Sequence, residues 1–240
     1  MRTTCLLLAL ATTANLHAVR TDTITQDTYA DFFSGELENI ALSNLGELKA
    51  GPALNEVMVI EDASSIWSAV ADSDGNLYVG TGKEGSVYKI APDAEKPELL
   101  FNPDAIMTRA LALDDDGNLF VATSPDGAVY RIAPGGRPEV FFDPEEIYVW
   151  DMAFGQDGNL YVATGAKANI YQLTPNHQLN DEATPYFTSD RTHFTRMTRD
   201  ADGALIVGSG PDAYLYRVTA EKEGEVLYSA GTDEIANVAV

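Results

Sequence analysis

The stretch Asp74-Gly75-Asn76-Leu77-Tyr78-Val79-Gly80-Thr81 decides the fold, because the chain repeats it three more times. Close copies begin at Asp116 and Asp157, and a weaker copy begins at Asp202. The glycines of the four Asp-Gly pairs are 42, 41 and 45 residues apart. A regular period of this size, built from short strands and tight turns, is typical of the blades of a β-propeller.

Each repeat unit has the same four-part pattern. An apolar run leads into the Asp-Gly pair, which suits a hairpin turn because glycine adopts positive φ without a steric penalty. Three further runs rich in Val, Ile, Tyr and Phe follow, separated by short loops, and each has the length of a strand. The sequence therefore predicts an all-β fold with four full blades of four antiparallel strands each. The predicted blades cover about residues 66–106, 107–147, 148–192 and 193–234.

The two ends of the predicted propeller, which extends over residues 36–240, contain further strand-like runs. These runs are residues 38–42, 46–50 and 56–60 near the N-terminus, and residues 235–240 at the C-terminus. They predict a partial blade formed by residues 36–62 and 235–240. Two interpretations stay open: the partial blade closes a five-bladed ring, or the sequence is the front part of a larger propeller. In the second case an exposed strand edge would favour association.

The first residues have the layout of a secretory signal peptide. Arg2 precedes the apolar run at residues 6–11, and Ala18 offers a small residue before a cleavage point. The sequence therefore predicts a signal peptide at residues 1–18 and a poorly ordered linker at residues 19–35. The protein is expected to be exported, either to a periplasm or to the extracellular space. Cys5, the single cysteine, lies in the signal peptide, so the mature protein would contain no disulfide.

The excess of negative charge on the chain makes some classes of binding partner unfavourable. It contains 15 Lys and Arg against 37 Asp and Glu, and its formal net charge is −22. Such a surface repels nucleic-acid phosphates and anionic lipid headgroups. We therefore expect neither nucleic-acid binding nor membrane insertion, and 45% hydrophobic residues are ample for a folded core.

The sequence contains no motif that assigns catalysis, a metal or a cofactor. The Asp-x-Asp-Gly-Asn turns lack the acidic positions of a calcium loop, so their aspartates are predicted to bond their own turn backbone. The histidines outside the signal peptide, His177 and His193, do not have the spacing of zinc ligands. We therefore assign no catalytic residue, no metal ligand and no cofactor from the sequence.

Propeller geometry places the entrance to each inner strand and each loop between the second and third strands on one face. The residues there differ between blades, whereas the strands are near copies. Trp and Arg suit a recognition surface because they supply aromatic and bidentate contacts. The alternative is ordinary loop variation, with the tryptophans packed between blades. The candidate binding residues on this face are Trp67, Arg109, Trp150, Asp151, His193, Arg196 and Asn237.

The unit from Asp74 to Ile90, which continues through Gly82, Gly85, Val87 and Tyr88, resembles the repeats of bacterial exported propellers. This group includes NHL, two-component-regulator and WD-repeat-like proteins, and the resemblance extends over residues 66–240. It implies a rigid binding platform, sometimes a sensor or a lyase or lactonase scaffold.

A non-catalytic exported scaffold is therefore predicted, which binds a protein or a small anionic or carbohydrate-like ligand on its channel face. The alternatives are a lactonase-like hydrolase or lyase with a channel site, and a sensor or assembly segment of a larger protein. In metal-dependent propeller lactonases the channel ion is held by Glu, Asn and Asp side chains. Asp151 and Asn237 are of these residue types, whereas the positive charges of Arg109 and Arg196 would repel a metal cation.

Overall fold

The computed structural model describes residues 28–33, 35, 37–51 and 56–240. These residues divide into two compact units, with the boundary between Val57 and Met58. The predicted signal peptide and most of the predicted linker lie outside the described residues, so both stay predictions. No described helix combines the length and the apolar character that crossing a membrane requires.

The first unit contains one short helix and one small hairpin. Helix α1 (Tyr29–Phe33) begins with a reciprocal cap, because Thr28 N–H donates to Asp31 Oδ2 at 3.1 Å and Asp31 N–H donates to Thr28 Oγ1 at 3.3 Å. Strand β1 (Ile40–Leu42) pairs antiparallel with β2 (Leu48–Ala50). The helix lies within the segment predicted as a linker. The third predicted run, residues 56–60, forms no strand.

The second unit consists of four antiparallel blades in chain order, each with its strands paired in sequence. The predicted strands are confirmed to within a few residues at each end. Blade 1 comprises β3 (Ile66–Ala71), β4 (Leu77–Thr81), β5 (Val87–Ile90) and β6 (Glu98–Phe101). Blade 2 comprises β7 (Met107–Leu113), β8 (Leu119–Ser124), β9 (Val129–Ile132) and β10 (Glu139–Phe142). Blade 3 comprises β11 (Tyr148–Phe154), β12 (Leu160–Gly165), β13 (Asn169–Leu173) and β14 (Pro185–Thr188). Blade 4 comprises β15 (His193–Arg199), β16 (Leu205–Gly210), β17 (Tyr214–Ala220) and β18 (Glu223–Ser229).

The Asp-Gly turns have the predicted chemistry. Gly75 has φ of 83°, and the equivalent glycines in the other three blades also have positive φ. Asp72 Oδ1 accepts hydrogen bonds from the N–H groups of Asp74 and Asn76 at 3.0 and 2.8 Å. Asp114 bonds its own turn in the same way. The interpretation of these aspartates as turn residues is confirmed.

The hydrophobic core lies between successive blades. One apolar cluster joins blades 1 and 2 around Val87 and Val121, a second joins blades 2 and 3 around Phe120 and Val162, and a third joins blades 3 and 4 around Phe194. The inner strands repeat because each must supply the same packing surface to its neighbour. The propeller's described unit is therefore stabilised by the contact of sheet face with sheet face.

The predicted C-terminal strand at residues 235–240 does not form in the described residues. Ile235 nevertheless contacts blade 4, because its N–H donates to Ser209 O of β16 at 3.2 Å. Its carbonyl accepts from Thr195 Oγ1 at 2.6 Å. The segment therefore lies against blade 4 without extending its sheet. The closure of the ring stays a prediction.

A buried histidine interrupts the apolar contact between blades 2 and 3. His177 is 8% exposed, and its ring packs edge-on against Phe141 and Phe142 at centroid distances of 5.6 Å. Its Nε2 is buried and has no hydrogen-bond partner. Burial lowers the pKa of His177 below its ordinary value of 6.5, and the negative charge of the Asp181 carboxylate partly offsets this shift. His177 is therefore neutral in the folded protein at neutral pH.

This burial predicts a stability that falls on mild acidification. Since the unfolded state takes up the proton at a higher pH than the folded state, the free energy of unfolding decreases as the pH falls through 6.5 towards the folded pKa. Chemical denaturation at about pH 7.5 and about pH 5.5 measures the loss, which His177→Gln should reduce. The carboxylates of Asp72 and Asp200, whose pKa values lie below 3.8 in the folded protein, titrate below this range. The lowered pKa of His193 and the raised pKa of Asp151 also contribute, but they do so equally in the wild type and in the variant. An identical pH dependence in the variant would contradict the prediction.

Candidate functional site

The inner strand of every blade contains a β-bulge at the same position of the repeat. In β3 the register with β4 shifts between Ile66 and Ser68, and the same shift recurs in β7, β11 and β15. A bulge leaves one residue outside the ladder and redirects its side chain. The four residues at the shift are Trp67, Arg109, Trp150 and Thr195.

Three of these bulge residues contact one another across successive blades. The guanidinium carbon of Arg109 lies 5.0 Å from the ring centroid of Trp67 and 5.1 Å from that of Trp150. These distances are those of cation–π contacts on both sides of one guanidinium. Trp67 is 40% exposed, and the other two side chains are half-buried. We name this arrangement of Trp67, Arg109 and Trp150 the Trp–Arg–Trp stack.

His193 holds the far end of the stack. Trp150 Nε1 donates to His193 Nδ1 at 3.1 Å, and the N–H of Ala166 donates to the same nitrogen at 3.3 Å. Tyr148 stacks on Trp150 with ring centroids 5.0 Å apart. Burial lowers the pKa of His193, opposed by Glu234. Since Nδ1 accepts two hydrogen bonds, the proton of the neutral imidazole belongs on Nε2.

Arg109 is a half-buried cation whose guanidinium has no acceptor among the described residues. Its Nε is buried and unpartnered, and the described residues offer its other N–H groups no hydrogen bond or ion pair. Burial, followed by repulsion from Arg196, lowers the pKa of Arg109, while Asp151 and Glu234 oppose the shift. A guanidinium remains charged in proteins, so the stack carries a full positive charge.

Asp151 contributes to the joint between blades. Its Oδ2 accepts from Met197 N–H of the next inner strand at 2.8 Å, and its Oδ1 accepts from Met152 N–H at 2.9 Å. Burial raises the pKa of Asp151, and these hydrogen bonds and the nearby arginines counteract that shift. The sequence places Asp151 on the binding face, and the structure directs its carboxylate into the contact between blades 3 and 4.

The other two predicted site residues lie towards the C-terminal segment. Arg196 Nε donates to Ala236 O at 3.1 Å. Asn237 is exposed, and its Oδ1 accepts from Val238 N–H at 2.9 Å. The structure thus joins Trp67, Arg109, Trp150 and His193 in one chain of contacts, places Arg196 within its electrostatic reach, and leaves Asn237 outside it. Whether these residues bind a ligand stays a prediction.

Comparisons with known proteins support the propeller fold. The family model described as two component regulator propeller matches residues 61–83, which contain the first two strands of blade 1. A virginiamycin B lyase from Staphylococcus aureus is similar in structure, with a TM-score of 0.61 and 17% identity over 79% of this chain and 62% of the lyase. No curated protein sequence matches the chain.

Two further solved structures show the same likeness. A chain of the nidogen/laminin complex has a TM-score of 0.59 and 17% identity, covering 70% of this chain and 66% of that one. A putative gluconolactonase has a TM-score of 0.57 and 16% identity, covering 81% of this chain and 71% of that one. The chain is a β-propeller repeat protein. It spans about 62% of the length of the lyase.

Three clefts of this propeller lie at the Asp-Gly turns, away from the stack, and a fourth, of about 330 Å³, lies beside His177 and Tyr186. One of the three, of about 520 Å³ between blades 2 and 3, is lined by Phe120, Phe154 and the turn at Asp114. Clefts of about 390 Å³ occupy the equivalent places between the other adjacent blades. Because they recur at every junction, they follow from blade packing. The stack is formed by side chains that differ between blades, so we consider it the better candidate site.

Sequence reasoning missed the glycines that make room for the tryptophans. A Cβ on Gly82 would lie 2.7 Å from Trp67 Nε1, and a Cβ on Gly165 would collide with Trp150 Nε1 and His193 Nδ1. Each glycine comes 15 residues after its tryptophan. Blade 2, whose bulge residue is Arg109, has Ser124 at the equivalent place, and blade 4, whose bulge residue is Thr195, has Gly210 there. A glycine therefore accompanies both tryptophans, but its presence alone does not identify these contacts.

The acidic and histidine residues do not converge on one point. Among the residues that the structure describes, no group of three or more His, Cys, Asp or Glu side chains is placed to hold a metal ion. The ionisable groups beside the stack have existing partners instead, namely backbone N–H groups for Asp151 and an indole N–H for His193.

Proposed function

We propose that this propeller is a non-catalytic binding module whose site is the Trp–Arg–Trp stack. The observation that carries the proposal is that the bulge residues of three successive blades lie in contact on one face, with Arg109 between two indoles. Exposed aromatic side chains beside an arginine are the residue types that dominate binding energy at recognition sites.

The fourth bulge residue shows what a purely structural use of this position looks like. Thr195 is buried, and its hydroxyl donates to the carbonyl of Ile235. Trp67, by contrast, is 40% exposed and Arg109 makes no hydrogen bond to the described residues. The bulge residues of blades 1 to 3, which form the stack, therefore present more apolar and charged surface than the packing of one blade against the next requires.

A binding role also suits the state of the nearby ionisable groups. A general acid or base must be free to exchange a proton with its substrate. Asp151 is engaged by two backbone N–H groups, and His193 Nδ1 is engaged by two donors. The lactonase-like alternative rests on a likeness of fold, which does not by itself carry an activity.

Binding to glycan and peptide arrays tests the proposal. We expect the wild-type protein to bind at least one class of ligand, and Trp67→Ala to weaken that binding by about tenfold or more, since the loss of a central aromatic contact costs about 2 kcal/mol. Tyr228→Ala is the matched control, because Tyr228 is a 62% exposed aromatic on the outermost strand of blade 4.

The outcomes separate the proposal from its alternatives. Binding that Trp67→Ala removes and Tyr228→Ala preserves supports a site at the stack. Binding that both variants preserve, or that Tyr228→Ala alone removes, moves the site elsewhere on the protein. Absence of binding by the wild-type protein to every array ligand contradicts a binding module of this kind.

A further inference from the structure

We infer that the stack recognises a carboxylate group of a small ligand, with Arg109 as its anchor. This inference rests on the proposed function and adds the chemical class of the ligand. It depends on the hydrogen-bonding state of Arg109, on the flanking indoles, and on the charges around the stack.

Arg109 differs from the other half-buried arginines in the propeller unit. Arg131 donates to Glu139 Oε1 at 2.6 Å, Arg191 to Asp212 Oδ2 at 2.8 Å, and Arg217 to Asp200 Oδ2 at 2.8 Å. Arg196 donates to a backbone carbonyl. Among the described residues Arg109 has no acceptor, although it has five N–H donors. Its terminal N–H groups, unlike Nε, are not fully buried, so an arriving acceptor can form charged hydrogen bonds with them without breaking an existing contact.

The surroundings of the guanidinium favour a planar acceptor. The indoles of Trp67 and Trp150 flank Arg109 on two sides, which leaves the edge that bears the terminal N–H groups for a ligand. This edge forms a rigid fork that matches the two oxygens of a carboxylate in a bidentate pair. The exposed part of Trp67 offers apolar contact for the body of the ligand.

The local charges do not oppose a single negative charge on the ligand. The charged groups that act on Arg109 are one cation, Arg196, and two anions, Asp151 and Glu234. The two arginines and the two carboxylates nearly balance, so they exert little net repulsion on one carboxylate that pairs with the guanidinium of Arg109. A phosphate dianion would meet additional repulsion from a protein of net charge −22.

Isothermal titration calorimetry with four probes tests the ligand class. The probes are galacturonate, its methyl ester, N-acetylalanine as a peptide-like carboxylate, and inorganic phosphate. We expect galacturonate or N-acetylalanine to bind, and the better of the two identifies the source of the carboxylate. The ester and phosphate should bind about tenfold more weakly or worse, since a charged hydrogen bond is lost or repulsion is added.

Three variants assign the effect to Arg109. Arg109→Gln should weaken carboxylate binding about 10- to 100-fold, and Arg109→Lys, which keeps the charge without the planar fork, by about tenfold. Arg137→Gln removes the same charge from an exposed arginine in the turn between β9 and β10, and it should bind as the wild type does. Far-UV circular dichroism confirms that each variant is folded.

Equal affinity for the acid and its ester, stronger binding of phosphate, or unchanged binding by Arg109→Gln overturns the inference, as does failure of the wild type to bind either carboxylate probe. These failures differ from that of the proposed function. Array ligands that require Trp67 but carry no carboxylate would leave the binding module standing and remove its carboxylate preference.

Discussion

Replacing Phe194 by Ala is expected to lower the free energy of unfolding by about 3–5 kcal/mol. Phe194 is fully buried at the start of the inner strand of blade 4. Its ring lies 5.7 Å from that of Tyr216 and 6.0 Å from that of Phe187, in the apolar cluster that joins blades 3 and 4. Truncation removes apolar burial and aromatic contacts, and it leaves a cavity that rigid sheets on both sides cannot fill.

Urea denaturation measures this loss, with Tyr228→Ala as its control in the same blade. Tyr228 is 62% exposed on the outermost strand, so its truncation should change the free energy of unfolding by about 0.5 kcal/mol or less. Comparable losses in the two variants would show that the contact between blades 3 and 4 does not carry the stability assigned to it here.

Replacing Gly127 by Ala is expected to cost about 2–5 kcal/mol, because two penalties add. Gly127 has φ of 44°, a conformation that disfavours side chains. Its added Cβ would also collide with the backbone carbonyl oxygen of Glu146, in the segment that leads from blade 2 to blade 3. Backbone cannot rotate away as a side chain can, so the connection between these blades must shift.

Gly135→Ala separates the two penalties. Gly135 has φ of 67°, but nothing lies within 4 Å of its added Cβ. This variant should therefore show the conformational penalty alone, about 1–2 kcal/mol. Thermal and urea unfolding of both variants give the comparison. Equal losses would mean that the approach of Glu146 to Gly127 has no energetic consequence.

The fold was predictable because the same strand-and-turn pattern is repeated along the chain, and the number and spacing of the repeats specify the architecture. A single Asp-Gly turn followed by an apolar run is compatible with many hairpins. Four copies at a constant period predict four similar blades, since each copy must pack against the next. Strand bounds and the role of the turn aspartates, such as Asp72, followed from the same local chemistry. Residues 235–240 resemble an inner strand in pattern, yet they form none in the described unit.

The candidate site was predictable as a set of residues but not as an arrangement. Position in the repeat placed Trp67, Arg109 and Trp150 on one face. The bulge that redirects them is a one-residue shift in pairing, which leaves no clear mark in the sequence. The role of Asp151 was likewise not predictable from local sequence, because its carboxylate accepts a hydrogen bond from a backbone N–H 46 residues away. Such contacts depend on the angle between blades, which no local pattern specifies.

The most direct test of the binding role of the stack uses the ¹H–¹⁵N NMR resonances of the terminal N–H groups of Arg109. Arg109→Lys assigns these resonances by their disappearance. We predict a downfield shift of these protons that saturates with added galacturonate, and little change with its methyl ester. Resonances that stay in place while signals elsewhere in the protein report saturable galacturonate binding would contradict the account.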